Sequence, residues 1–222
     1  MPRTRHLTMF KTSALVLTIT LVVMLRAAPG EARSLETAIV AGGCFWCVEA
    51  DFDKVDGVVE TVSGFTGGHV ENPSYKQVTR GGTGHYEAVK ITYDADRLSY
   101  RRLLDLFFRS IDPTDAGGQF CDRGPSYRTA VFAQTEAQAQ TARAAKADAQ
   151  AALGRKIVTP VLEAGEFYPA EDYHQNYYAS QERILTRFGW VTKARAYKGY
   201  RKGCGRDARV EALWGDAAPF VH

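Results

Sequence analysis

The sequence has no run of basic residues like those of nucleic-acid-binding tails. Its 28 Lys and Arg against 25 Asp and Glu leave a formal net charge of only +3. A nucleic-acid role therefore has no support. There is no internal repeat, no low-complexity tract and no linker beyond residue 33, which excludes a solenoid or a string of domains. Long hydrophobic runs are also missing. The nearest to one, Ser13 to Leu25, falls short of the about 20 residues that a comfortable membrane span needs. Cysteine is scarce, with four in 222 residues, while 45% of the chain is hydrophobic. A chain of this length and composition can build its core without disulfide staples.

What is present starts with a targeting pattern. Arg3, Arg5, His6 and Lys11 make a basic start, the apolar stretch follows, and Gly30 and Ala32 are small residues placed for cleavage. Residues 1–33 read as a secretory signal, with an uncleaved anchor as the alternative. In both cases the expected location of the domain, residues 34–222, is outside the cytoplasm. The membrane is a partner only if the segment is uncleaved.

Within that domain, Ala38-Ile39-Val40-Ala41 predicts a buried strand that ends at Gly42-Gly43. A helix is predicted over Cys44 to Asp53, with Phe45, Val48 and Phe52 on one stripe. Residues 57–65 are β-rich, and a short helix is expected from Ser74. Residues 87–93 alternate most clearly, with Val89, Ile91 and Tyr93 on one side. An amphipathic helix over 99–111, a polar loop over 112–124, a strand over 127–133 and an alanine-rich helix from Thr135 follow. Gln138, three residues after Thr135, suggests a capping box. A strand over 157–162, a helix over 171–187 and an irregular tail from Val191 complete the reading. The expected class is α/β or α+β, a mixed sheet with helices packed on it.

The chemistry gathers at Gly42-Gly43-Cys44-Phe45-Trp46-Cys47. Cys44 follows a strand and a double glycine and opens a helix, where the partial positive charge of the N-terminus favours a thiolate. Cys47 sits one turn on, on about the same face. The pair reads as redox-active, with two core thiols or a fixed disulfide as the alternative. Oxygenated sulfur also needs a proton donor. Glu87 shares the apolar side of its strand with Val89, so burial would keep its carboxyl protonated near neutrality; a turn to solvent at the strand end is the other reading. Phe45 and Trp46 could line a pocket for a small apolar group or simply pack. Tyr75 and Tyr127 could donate hydrogen bonds or pack likewise.

Several motifs then fall in order. Gly43-Cys44-Phe45-Trp46 with Glu49 is followed by Gly64-Phe65-Thr66-Gly67-Gly68 and Asn72-Pro73-Ser74-Tyr75. After these come Gly84-His85-Tyr86-Glu87-Ala88-Val89, Asp122-Arg123-Gly124 with Tyr127-Arg128, and Tyr173-His174-Gln175. From about residue 36 to 180 the chain resembles the A-class peptide methionine sulfoxide reductases. The resemblance implies a two-layer α/β roll around a mixed sheet, and reduction of the S epimer of methionine sulfoxide, free or in proteins. Cys44 would attack the sulfoxide sulfur and Glu87 would protonate the departing oxygen. Tyr75 and Tyr127 would hydrogen-bond that oxygen. Phe45 and Trp46 would hold the methyl group, and Asp122 would help organise the site. A sulfenic acid on Cys44 would pass to a disulfide, opened by a thioredoxin-like reductant. No cofactor, no metal and a monomer are expected.

Three positions depart from the pattern. Cys47 stands where many members have glycine, Cys121 where asparagine is usual, and Ser126 where glutamine is frequent. They bear on recycling. Cys47 is the first choice as resolving thiol, being covalently near. Cys204, in Gly203-Cys204-Gly205, is the second. Cys121 is the third, as a relay member or else a buried packing thiol. Two rival readings remain: a thioredoxin-like disulfide oxidoreductase, from Cys-x-x-Cys at a helix start, and a metal-binding module, which lacks a second close ligand pair.

Overall fold

The computed structural model describes Met1 and residues 34–221. The expected signal or anchor lies outside the described residues, among which no helix is long and apolar enough to cross a membrane. The chain runs β1 (Leu35–Gly42), α1 (Phe45–Phe52), β2 (Val58–Thr66), α2 (Tyr75–Arg80), β3 (Tyr86–Asp94) and α3 (Tyr100–Arg109). A small hairpin follows, β4 (Gly118–Gln119) and β5 (Asp122–Arg123). Then come β6 (Thr129–Ala133), α4 (Glu136–Leu153), β7 (Val161–Glu163) and β8 (Tyr168–Pro169). A second hairpin, β9 (Arg183–Thr186) and β10 (Gly189–Thr192), leads to α5 (Lys193–Cys204) and α6 (Arg206–Trp214).

The central sheet has the order β7-β6-β1-β3-β2-β8. All its pairings are antiparallel except β6 with β7, so the sheet is mixed as expected. The apolar run of β1 is wholly buried between β3 and β6. Val89, Ile91 and Tyr93 share one core with α1, α3 and the Ala142, Ala145 and Ala149 stripe of α4. Ala88 is buried too. It belongs with Tyr86 and Phe132 to a smaller cluster on the other face, closed by Leu162, Ala164 and Phe167. That cover explains why the outward side of β3 is less polar than a solvent-facing strand would be.

Several expected elements are corrected. Residues 171–187 do not form one helix. Asn176 takes a left-handed φ of 51°, the helical part shrinks to one turn, Asp172–His174, and Ile184, Thr186 and Val191 enter the β9–β10 hairpin, as suits β-branched side chains. The tail is not irregular. Thr192 caps α5 by accepting a bond from Arg195 N–H, and Gly205, at φ 68°, ends α5 and turns into α6. Tyr127 lies in a single tight turn, Pro125–Tyr127, before the strand proper starts at Thr129. Of residues 157–162 only Val161 and Leu162 pair. Near Thr135 the Gln138 side chain accepts from Gln134 N–H instead of from the cap residue. The reciprocal capping box forms at Ser74 and Gln77.

Candidate active site

The elbow between β1 and α1 places the pair of thiols. Gly43 has φ 82°, and a Cβ there would stand 2.5 Å from Gln119 Cβ; only glycine fits. Cys44 is the N-cap of α1 without a capping side-chain bond. Its carbonyl accepts from Cys47 N–H at 3.0 Å. Cys44 is half-buried and Cys47 is buried. Both are free thiols sharing a hydrogen bond.

That hydrogen bond changes one expectation. It raises the Cys44 thiol above its ordinary value, with burial and the nearby Glu87 and Asp122 acting the same way. It lowers Cys47, which burial opposes and the Arg206 and Arg201 guanidiniums assist. Within the pair, proton affinity is thus raised at Cys44 and lowered at Cys47, opposite to the sense of the helix start alone.

Glu87 is 1% exposed and does not turn to solvent. Its Oε2 accepts from Phe45 N–H at 3.1 Å, while Oε1 is buried without a partner. Burial pushes its carboxyl up to about 8, the Phe45 bond pulls it down and Asp122 adds to the rise. At neutral pH it holds a proton. Tyr75 and Tyr127 share a hydrogen bond, and burial raises both phenols. Burial also raises half-buried Asp122, against Arg206 and Arg187.

These groups line one cavity of about 330 Å³, together with Phe45, Trp46, Cys121 and Cys204. Every residue expected at the site is therefore in it. Phe45 stacks on Tyr75 at 6.0 Å and Trp46 on Tyr177 at 3.9 Å between centroids. His174, buried under Phe45, Trp46 and Tyr75, is pulled down to about 4 by burial and is neutral.

Cys121 and Cys204 form a disulfide across 83 residues, with Cα atoms 4.8 Å apart. Cys121 is exposed on the β4–β5 hairpin, not a buried packing thiol, and Cys204 ends a helix. The fold so creates the second close pair that the sequence spacing lacked. Asp122 lies beside it, with Oδ1 3.8 Å from Cys121 Sγ.

Sequence reasoning missed the floor of the cavity. Arg201 donates to Asp51 Oδ1 at 2.7 Å, Tyr197 Oη at 3.0 Å and Phe220 O at 3.1 Å, and pairs with Asp207. Arg206 lies next to it. Cationic residues in a tail without an apolar stripe gave no sign of burial. Asp51→Ala leaves Arg201 with Asp207 as its one carboxylate and takes from Arg206 the carboxylate 3.8 Å away, so a loss of about 3 kcal/mol is expected, read as a fall in denaturant midpoint at unchanged slope.

A dithiol at a strand–helix elbow, a protonated carboxyl bonded to the same helix start and an aromatic-walled cavity define a thiol-dependent redox enzyme with its own acid. Residues 36–202 match the family described as Peptide methionine sulfoxide reductase. The chain is 52% identical over 190 residues to the peptide methionine sulfoxide reductase MsrA 2 of Rhizobium meliloti (strain 1021), covering 86% of this chain and 89% of that one. Among solved structures it is similar to reduced Mxr1 of Saccharomyces cerevisiae, with TM-score 0.62 and 33% identity over 66% of this chain and 85% of that one. It is also similar to methionine sulfoxide reductase A of Corynebacterium diphtheriae, with TM-score 0.60 and 37% identity over 69% and 76%. The chain belongs to the peptide methionine sulfoxide reductase family, which displaces the disulfide-oxidoreductase and metal-module readings.

Proposed function

We propose that this protein reduces the S epimer of methionine sulfoxide, free or in proteins, to methionine, with Cys44 as nucleophile and Glu87 as acid. The observation that carries the reading is Glu87, a buried carboxyl that keeps its proton at neutral pH and is tied to the N–H of the residue after Cys44. Cys44 sulfur attacks the sulfoxide sulfur, and Glu87 gives its proton to the oxygen as the S–O bond of the substrate breaks. Methionine leaves and Cys44 holds the oxygen as a sulfenic acid. Tyr75 and Tyr127, joined and still protonated, are donors for that oxygen. Phe45 and Trp46 wall the space for the methyl group, and Asp122 shapes the electrostatics of the rim.

For recycling, Cys47 attacks the Cys44 sulfenic acid, giving a Cys44–Cys47 disulfide and water. Buried Cys47 is out of reach of a protein reductant, whereas Cys121 is exposed. The Cys121 and Cys204 thiols, once reduced, open the first disulfide by exchange and become the second. An external thioredoxin-like dithiol then reduces that one. Free Cys44 and Cys47 beside a Cys121–Cys204 disulfide are the state this order leaves after a turnover.

The test is a count. Fully reduced protein, freed of reductant and mixed with excess S-sulfoxide peptide, should release two methionines per chain; Cys204→Ser should release one. One from the wild type, with Cys121 and Cys204 still reduced, would return recycling to the first pair alone. A Cys44–Cys204 bridge after the first turnover would make Cys204 the resolving thiol. None released contradicts the activity itself.

A further inference from the structure

We propose that Cys47 is also the catalytic base of the first step, taking the Cys44 thiol proton, and that Arg206 is the positioning residue that prepares it. The proposal rests on the reading above, in which Cys44 attacks the sulfoxide.

The attack needs Cys44 to lose a proton inside a cavity that disfavours a second negative charge. Glu87 is occupied as the acid and already protonated. The two phenols hold their protons more firmly than ordinary tyrosines. The group hydrogen-bonded to the Cys44 thiol is Cys47.

What supports an anion at Cys47 is a buried cation that lines the same cavity and lies 3.8 Å from Asp51, one turn further along the same helix. Arg206 is 2% exposed and lines the same cavity. It donates to Gly42 O at 3.1 Å and Ser110 O at 3.0 Å and lies over the Phe120 ring at 4.8 Å. Its Nε has no hydrogen-bond partner. The carboxylate oxygen beside it, Asp51 Oδ2, stands 3.8 Å away and is unbonded as well, the other oxygen being taken by Arg201. Arg206 is thus held by neutral carbonyls, one of them the carbonyl preceding Gly43, while the carboxylates that act on it, Asp51 and Asp122, make no hydrogen bond to it. A buried cation so placed favours a neighbouring anion. The charged and titratable groups acting on Cys47 are Cys44 and Asp51 on its own helix, Glu87 on β3, Tyr197 and Arg201 on α5 and Arg206 on α6. The cations lower its proton affinity and the acids raise it.

The step balances. Cys44 thiol, Cys47 thiolate, protonated Glu87 and sulfoxide become Cys44 sulfenic acid, Cys47 thiol, Glu87 carboxylate and methionine. The sulfoxide sulfur is reduced by two electrons and Cys44 sulfur is oxidised by two. The proton now on Cys47 leaves with the water formed when Cys47 resolves the sulfenic acid.

The test is the rate of the first methionine from reduced protein without reductant, followed by rapid quench across pH. Cys47→Ser, which can still form the sulfenic acid, should be slowed about 10²-fold at neutral pH, with any rise toward alkaline pH ended near 8, where Glu87 loses its proton. Arg206→Met should shift the alkaline-going rise of the profile to higher pH, and Arg206→Lys should restore it. If Arg206→Met fails to fold, Arg206→Gln, which keeps a donor for one carbonyl, carries the same expectation. A first methionine from Cys47→Ser at the wild-type rate would overturn the proposal and leave Cys47 as resolving thiol only. Unshifted profiles in the neutral Arg206 variants would remove Arg206 from it. No methionine from the wild type would sink the underlying reading instead.

Discussion

Cys44→Ser is expected to release no methionine from a sulfoxide peptide at any reductant concentration, while folding as well as the wild type or better. The loss follows from the chemistry: a hydroxyl cannot take up the substrate oxygen as a sulfenic acid does, so no other group at the elbow replaces the sulfur. The retained fold follows from position. Cys44 is the N-cap of α1 and makes no capping bond, and serine there can accept one from the first turn, worth about 1 kcal/mol. Activity assays with dithiothreitol and a thermal melt read both effects on one sample. A Cys44→Ser protein with wild-type turnover would remove Cys44 from the mechanism.

Glu87→Gln is expected to lower the rate about 10²–10⁴-fold, the usual contribution of general acid catalysis, and at the same time to stabilise the protein at neutral pH. Glutamine keeps an oxygen for Phe45 N–H but has no proton to transfer. The stability gain comes from burial. The folded value of about 8 lies above the ordinary 4.5, so the favourable contribution of the protonated form is complete below about 4.5 and is lost as pH rises through about 8. At pH 7 the unfolded chain has ionised this group and the folded one has not, a difference of about 3 kcal/mol that the uncharged amide does not carry. For the wild type the same value sets the alkaline limb of the rate, which should fall as pH passes about 8. Activity and denaturation curves measured side by side check both signs. A Glu87→Gln variant of full activity would show that the proton comes from elsewhere.

These effects were largely legible before any fold was known, because they rest on local patterns. The period-two alternation of residues 87–93 put Glu87 on the buried side, and the glycine pair before Cys44 announced the elbow. The sheet was legible for the same reason, β1 and β3 being apolar where they pair. The floor of the site was not. Helices α5 and α6 are stabilised by a glycine cap and by Arg201 and Arg206 reaching acids and carbonyls far away in sequence, contacts that leave no periodic signal. Gly199 looks like a helix breaker in isolation, yet a Cβ there would meet Phe188 at 2.7 Å. Cys121 meets Cys204 only through tertiary packing. The helix start favours a thiolate at Cys44, whereas the hydrogen bond to Cys47 and the buried guanidiniums act in the other sense, raising Cys44 and lowering Cys47.

The central claim is tested most directly by one incubation of the wild-type protein with dithiothreitol and a peptide carrying both sulfoxide epimers, resolved by chromatography. The account predicts that the S epimer disappears, one methionine peptide appearing for each one lost, while the R epimer stays. Persistence of the S epimer would contradict it.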